Sequence, residues 1–252
     1  MTPAVVVALR AVRVRYGPLL ALDDVDLTLV AGERVAVVGP SGAGKSTLLA
    51  LCTAAVRPTS GTVEVLGQDL TSATPRQLAA VRRRVGALYQ RLHLVGRLRV
   101  VHNVNAGRLG AWPWWRALLS LVRPLEVAAA RQALARTGIE ALVDARTDEL
   151  SGGEQQRVAL ARLLVQDPEL VLADEPVSSL DPARAEEVLR LLGETATGRE
   201  RTLLVSLHDV DLALRHCDRV VGVRAGRVVF DLPAAAVTAD LRRQLYAFEP
   251  SG

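Results

Sequence analysis

The order of apolar and polar positions divides the chain into three stretches. In the first, apolar residues fall at strand-like spacings: "VVVALRAVRVRY" (5–16) and "VDLTLVAGERVAVVG" (25–39) predict strands, the second broken by a turn at Gly32. "GTVEVLG" (61–67) predicts another strand, and "RVGALYQ" (84–90) a buried strand that ends on a polar residue. Between them "KSTLLALCTAAV" (45–56) has helical spacing. From about 91 to 165 the pattern is mainly helical, clearest in "PLEVAAARQALARTG" (124–138) and "GEQQRVALARLLVQD" (153–167). Pro124 suits a helix start and Gly138 a C-terminal cap.

The last third alternates again. "ELVLADEP" (169–176) predicts a buried strand, "PARAEEVLRLLGET" (182–195) a helix and "RTLLVSLHD" (201–209) a strand. "RVVGVRAGRVVFD" (219–231) predicts a hairpin turning at Ala225-Gly226. Strands alternating with helices argue for a mostly parallel sheet covered on both faces. The middle stretch, near 91–165, then reads as a helical insertion in a single α/β domain of 252 residues.

Composition narrows the picture. Half of the residues are apolar but only 3% are aromatic, so Val, Leu and Ala must fill the core. The net charge of +4, from 31 basic and 27 acidic residues, is too small an excess to imply a nucleic-acid partner. "VRRRV" (81–85) reads as a solvated helix face. Lys45 is the only lysine; every other basic side chain among the 31 is arginine. Cys52 and Cys217 lack metal-ligand spacing and read as reduced packing residues. The opening "MTPAVVVALR" does not have the form of a secretory signal. No stretch approaches the ~18 apolar residues of a membrane span. A soluble chain is expected, one that can sit on a membrane partner.

That lone lysine stands inside "GPSGAGKST" (39–47), which follows a strand and precedes a helix. From Gly39 to Ser46 it has the form G-x-x-x-x-G-K-S/T. Gly39, Gly42 and Gly44 let backbone N–H groups turn toward phosphate oxygens, with Pro40, Ser41 and Ala43 between them. The helix N-terminus adds a favourable partial charge. Lys45 would reach the β- and γ-phosphates as a compact point charge, and the Ser46 hydroxyl, followed by Thr47, suits Mg²⁺. A cradle of this kind does not name a reaction, and a small-molecule kinase fits it equally well.

Three other strand ends carry polar groups. Asp174, after "LVLA", would hold the Mg²⁺ shell, and Glu175 would polarise an attacking water. His208 closes "LLVSL" and would orient the same water at the γ-phosphate. Gln90 closes "GALY" and would act both as Mg²⁺ ligand and as sensor. A second glycine pair lies in "LSGGEQQR" (150–157). Ser151, Gly152 and Gly153 are read as preceding a helix that begins near Glu154, again an anion site. It belongs to the helical stretch, though, and the first cradle is already complete. Its simplest use is to close on the nucleotide of another molecule.

With that signature the chain resembles the ATP-binding cassette ATPases, which differ from P-loop kinases in carrying it. The cradle, Gln90, "LSGGEQQR", "LVLADEP", "SSLD" (178–181) and His208 occur in the order expected of that family, over nearly the whole chain. The resemblance implies a P-loop NTPase core, an N-terminal antiparallel β subdomain and an inserted helical subdomain. It implies ATP and Mg²⁺, with Tyr16 stacked on adenine. It also implies a head-to-tail dimer in which Ser151, Gly152, Gly153 and Glu154 reach the partner's ATP.

Segments 91–121, 173–182 and 206–233 are similar to the phosphonate-importer branch. This implies uptake of a phosphonate or related phosphorus oxyanion, driven from the cytoplasmic face of the inner membrane. Integral membrane permease subunits would be direct partners, and a substrate-binding protein an indirect one. Arg91 departs from the glutamine frequent at that place. Two rivals remain: an accessory subunit of a carbon–phosphorus lyase complex, and the ATPase of a lipoprotein-release or export system. Trp112, Trp114 and Trp115 either belong to the face that docks on the membrane subunits or pack the helical insertion's own core.

Overall fold

Two sheets and a group of helices divide the molecule. The computed structural model describes residues 3–90, 92–178, 180–196 and 201–247. Arg91 and one serine of "SSLD" (Ser179) lie outside the described residues. In chain order the elements are β1 (Val5–Tyr16), β2 (Leu19–Val30), β3 (Arg34–Val38), α1 (Lys45–Cys52), β4 (Ser60–Val65), β5 (Gln68–Asp69), α2 (Pro75–Arg84) and β6 (Val85–Leu88). There follow α3 (Val100–Asn105), α4 (Trp114–Val122), α5 (Val127–Arg136) and α6 (Gly152–Gln166). The chain closes with β7 (Leu170–Asp174), α7 (Pro182–Ala196), β8 (Thr202–Leu207), α8 (Val210–His216), β9 (Arg219–Arg224), β10 (Arg227–Pro233) and α9 (Ala239–Tyr246).

The first sheet runs β2-β1-β4-β5 and is antiparallel. In the second half of β2, residues 25, 27 and 29 are buried and 24, 26 and 28 exposed, the alternation of a sheet covered on one face. The second sheet runs β10-β9-β3-β8-β7-β6, parallel except for the β9–β10 hairpin. Here β3, β7 and β8 are buried almost throughout, as parallel strands with both faces covered must be. Period-two geometry divides their side chains. Val35, Val37, Leu170, Leu172 and Leu204 join a core with the antiparallel sheet and α1. Ala36, Val38, Val171, Ala173, Leu203 and Val205 join a core with α7 and α8 on the other face.

Residues 100–165 form a third apolar cluster of their own, around Val101, Val104, Leu134, Ile139, Val158 and Val165. Helix α5 starts three residues after Pro124, at Val127, with Glu126 in the left-handed region (φ 47°), so Pro124 does not begin the helix. The Glu126 side chain, just before the helix, pairs with Arg116 at 2.6 Å. At the other end Gly138, at φ 73°, donates its N–H to Ala135, and Ile139 donates to Leu134. This is the glycine-terminated end expected there. Trp114 and Trp115 are exposed and take no part in the third cluster, which removes the core-packing alternative for these two. The face of "VRRRV" is exposed as expected. Arg82 nevertheless donates to the carbonyls of Thr53 and Ala54, and Arg84 pairs with Glu169 at 2.6 Å.

Candidate active site

All parallel strands of the second sheet end at one edge, and the chemistry collects there. β3 runs into the glycine-rich turn, which enters α1 at Lys45. Gly44 sits at φ 107°, where a side chain is strained; a Cβ there would lie 2.6 Å from the Ala21 carbonyl. Gly39 is closer still: a Cβ would fall 2.0 Å from the Val223 carbonyl of β9. These glycines are therefore needed for the loop to lie against its neighbours as well as for its curvature. The Lys45 side chain is only 4% exposed. Its ammonium donates to the carbonyls of Gly39 (2.8 Å) and Pro40 (3.1 Å) and lies 3.8 Å from Glu175. Burial pulls its pKa below the ordinary lysine value, while Glu175 and Asp174 oppose the shift.

The next strands supply the acids. Asp174 Oδ1 accepts from Ser46 Oγ at 3.0 Å and from Ser206 Oγ at 2.6 Å. The parallel register sets Asp174 of β7 opposite Ser206 of β8, which is how residues far apart in sequence meet. Ser206 also accepts the Glu175 N–H at 2.9 Å. Glu175 is in the left-handed region (φ 48°), and its carboxylate has partners different from those of Asp174. Its Oε1 lies 2.6 Å from His208 Nε2. Lys45, Ser46, Asp174, Glu175 and His208 are thus one connected group. Gln90 is not joined to it: its amide donates to Ser178 Oγ at 3.3 Å and makes no hydrogen bond to Ser46 or Asp174.

Tyr16 lines the cleft over the P-loop together with Ser41, Gly42, Ala43 and Thr47, and the free space there is about 500 Å³. The residue is 45% exposed. Ser46 and Asp174 offer a hydroxyl and a carboxylate oxygen at one point beside this cleft. These are hard oxygen donors, and a Mg²⁺ that takes its other ligands from phosphate and water fits them.

The second glycine pair is elsewhere. Ser151 is the N-cap of α6, and Gly152 and Gly153 are its first helical residues, so the helix begins two residues before Glu154. Ser151 Oγ accepts the Glu154 N–H, and the Glu154 carboxylate accepts the Ser151 N–H at 2.8 Å, a reciprocal cap. Hydrogen bonds from Ser151 hold the Glu154 carboxyl below its usual pKa. Ser151, Gly153 and Glu154 line a separate hollow against α7 that shares no residue with the P-loop cleft.

Three residues that position the site are not evident from the sequence. Ser206 holds the Asp174 carboxylate and the Glu175 backbone N–H; its one signal in the sequence is a polar residue inside the apolar run "LLVSL", and it is fully buried. Gln156, buried on α6, donates to the carbonyl of Pro176 and so ties the signature helix to the turn after Glu175. Tyr246 of α9 donates its hydroxyl to the carbonyl of His208 at 3.0 Å. Burial raises the Tyr246 pKa.

Known proteins agree with this geometry. Residues 22–178 match the ABC transporter family model. The chain is 50% identical, over 91% of its length and 86% of the relative's, to the phosphonates import ATP-binding protein of Pseudomonas aeruginosa. It is 48% identical to that of Pseudomonas putida, over 93% of this chain and 87% of the other. Among solved structures, an ATP-binding cassette captured as a dimer with ADP and Pi superposes with a TM-score of 0.77 at 29% identity, covering 90% of this chain and 98% of that one. A Clostridium perfringens cassette, part of an ABC transporter complex, gives 0.80 at 26%, covering 97% and 96%. The signature helix, the strand-end acids and these likenesses agree: the chain belongs to the ABC transporter family, as its ATP-hydrolysing subunit.

Proposed function

We propose that this ATPase energises uptake of a phosphonate or a related phosphorus oxyanion through separate membrane permease subunits, from the cytoplasmic face of the membrane. The observation that carries the cargo is the 50% identity over 91% of the chain to a phosphonates import ATP-binding protein. The oxyanion does not touch this chain; a substrate-binding protein and the permease read it. The chain supplies the work. Two copies, head to tail, enclose two ATP molecules, and each Ser151–Glu154 edge meets the partner's γ-phosphate. That this edge shares no residue with its own P-loop cleft supports the arrangement. The stretch near 91–165 forms the subdomain that carries the signature and moves with it.

In the site, the glycine-loop N–H groups and Lys45 hold the phosphates, and Tyr16 stacks on the base. Ser46 and Asp174 would hold Mg²⁺, with Gln90, now bonded to Ser178, as a further candidate ligand. When bound, Mg²⁺ would neutralise phosphate charge. Glu175 accepts the proton of the attacking water, and His208, 2.6 Å from its carboxylate, fixes the direction of that carboxylate. Closing the dimer and reopening it after hydrolysis is the stroke passed to the permease.

The test is uptake of a labelled alkylphosphonate by cells carrying the native chain or Glu175→Gln, with phosphate uptake measured beside it. Loss of phosphonate uptake alone is expected. Unchanged phosphonate uptake sinks the cargo, and copurification with a soluble partner in place of an integral membrane protein sinks transport.

A further inference from the structure

Helix α4 is built inside out. Ser120 is 7% exposed, and Arg116 turns back to Glu126 and to the face of Trp112, 5.2 Å from its ring. The outward positions are apolar: Trp114 is 79% exposed and Val122 85%, with Trp115, Leu118 and Leu119 also open. Residues 114, 118 and 122 recur at one turn, so they form a continuous stripe. Water is a poor neighbour for it, and the helix spends its polar side chains inward.

Charge identifies the missing neighbour. From Leu70 to Leu125 the sequence contains no Asp or Glu, yet it holds ten arginines, of which Arg84, Arg99, Arg108 and Arg116 pair with acids outside that stretch. The whole chain carries +4, so the remainder carries −6. The groove beside α4 brings Arg82, Arg83 and Arg108 together with Trp112 and Trp114. Arg83 packs against Gly110, and among the described residues neither Arg83 nor Arg123 has a carboxylate partner. Trp115, Leu118, Leu119 and Val122 take no part in lining the groove and face outward from the molecule. An exposed stripe of Trp, Leu and Val with Arg83 and Arg123 near it, while the nearby Glu126 is taken up by Arg108 and Arg116, has the chemistry of a helix lying in a lipid headgroup layer.

We propose that α4 rests directly on an anionic lipid surface, with the stripe of Trp114, Trp115, Leu118, Leu119 and Val122 among the upper acyl carbons and Arg83 and Arg123 on the headgroups. The contact belongs to this chain alone. It does not depend on which cargo is carried or on the permease.

The sequence provides its own probe, since its three tryptophans all fall within 112–115. Purified full-length chain is mixed with vesicles of phosphatidylglycerol and phosphatidylcholine, and with vesicles of phosphatidylcholine only. Flotation measures the bound fraction, and brominated acyl chains report tryptophan depth. Binding to the anionic vesicles, a blue shift and quenching by bromine are expected, all weakening as salt rises. The triple change Trp114→Ala, Leu118→Ala, Val122→Ala should lower vesicle affinity at least about tenfold while leaving ATP hydrolysis unchanged. Arg83→Gln with Arg123→Gln should flatten the salt dependence with the tryptophan stripe intact. Equal flotation of native and triple-variant chains overturns the proposal, as does absence of bromine quenching. A blue shift that follows self-association without lipid assigns the face to a second copy and overturns it too, as does one that needs the permease subunits.

Discussion

The P-loop cleft and the α6 N-terminus are both glycine-rich helix starts, yet they are in opposite states. In the cleft Lys45 donates to two carbonyls of its own loop, while Asp174 accepts from Ser46 and from Ser206 across the sheet. At α6 the cap is local, Ser151 with Glu154 three residues on, and it is open to solvent. One helix start is held by tertiary structure and the other by four consecutive residues. A site that closes on its own needs only itself to be stable. It therefore stays available to another molecule without disturbing the fold that carries it.

The largest expected contrast comes from Glu175→Gln. It should lower phosphate release by about 10²–10⁴ while ATP still binds, and an ATP-dependent dimer should accumulate on size exclusion. A loss below twofold would take Glu175 out of the proton-accepting role. Ser151→Arg probes the other site. It should leave ATP binding by single chains intact and abolish dimer closure, lowering turnover on the order of 10²-fold. Equal loss of binding and closure would mean that the two sites are not separable.

Ser206→Ala sharpens the comparison from the cleft side. Removing a buried hydroxyl that holds both Asp174 and the Glu175 N–H should cost about 1–3 kcal/mol in urea unfolding, whereas Ser151→Ala should cost about 1 kcal/mol. The gentlest probe is an amine reagent. It should modify Lys45 and the N-terminal amine only, and ATP should protect Lys45. Because burial lowers its pKa, more of Lys45 is unprotonated at a given alkaline pH than of a free lysine. Labelling that ATP does not slow would remove the cradle assignment.

What could be read from sequence follows the same divide between local and distant causes. Lys45, Ser46, Asp174, Glu175 and His208 stand at the ends of apolar runs, and parallel strands bring such ends to one edge without further information. A helix start was legible near residues 151–154, though the helix begins two residues earlier than read because the Ser151 side chain and Glu154 cap it reciprocally. Ser206 was not legible. Its role depends on the β7–β8 register, a pairing across 32 residues. The outward face of α4 escaped for a related reason. Periodicity gives a stripe but not its direction, and only the packing of Ser120 and Arg116 shows which way it faces. Helix α9 carries too few apolar residues to announce itself, and Tyr246 is visible only once it reaches the carbonyl of His208.

The turn of the β9–β10 hairpin ends at the nucleotide cleft. Gly226 donates its N–H to the carbonyl of Ala43 in the P-loop, and its own carbonyl accepts the N–H of Asp23 in β2, both at 2.9 Å. A single residue thus stitches the phosphate loop to the sheet that carries Tyr16. With Tyr16 on the base and the glycine loop on the phosphates, as proposed, the two ends of a nucleotide would be gripped by parts that cannot slide independently. Discrimination at the base is then felt as affinity at the phosphates: a nucleotide that fits Tyr16 poorly should shift in the P-loop as well, and a wrong base should slow turnover as well as binding.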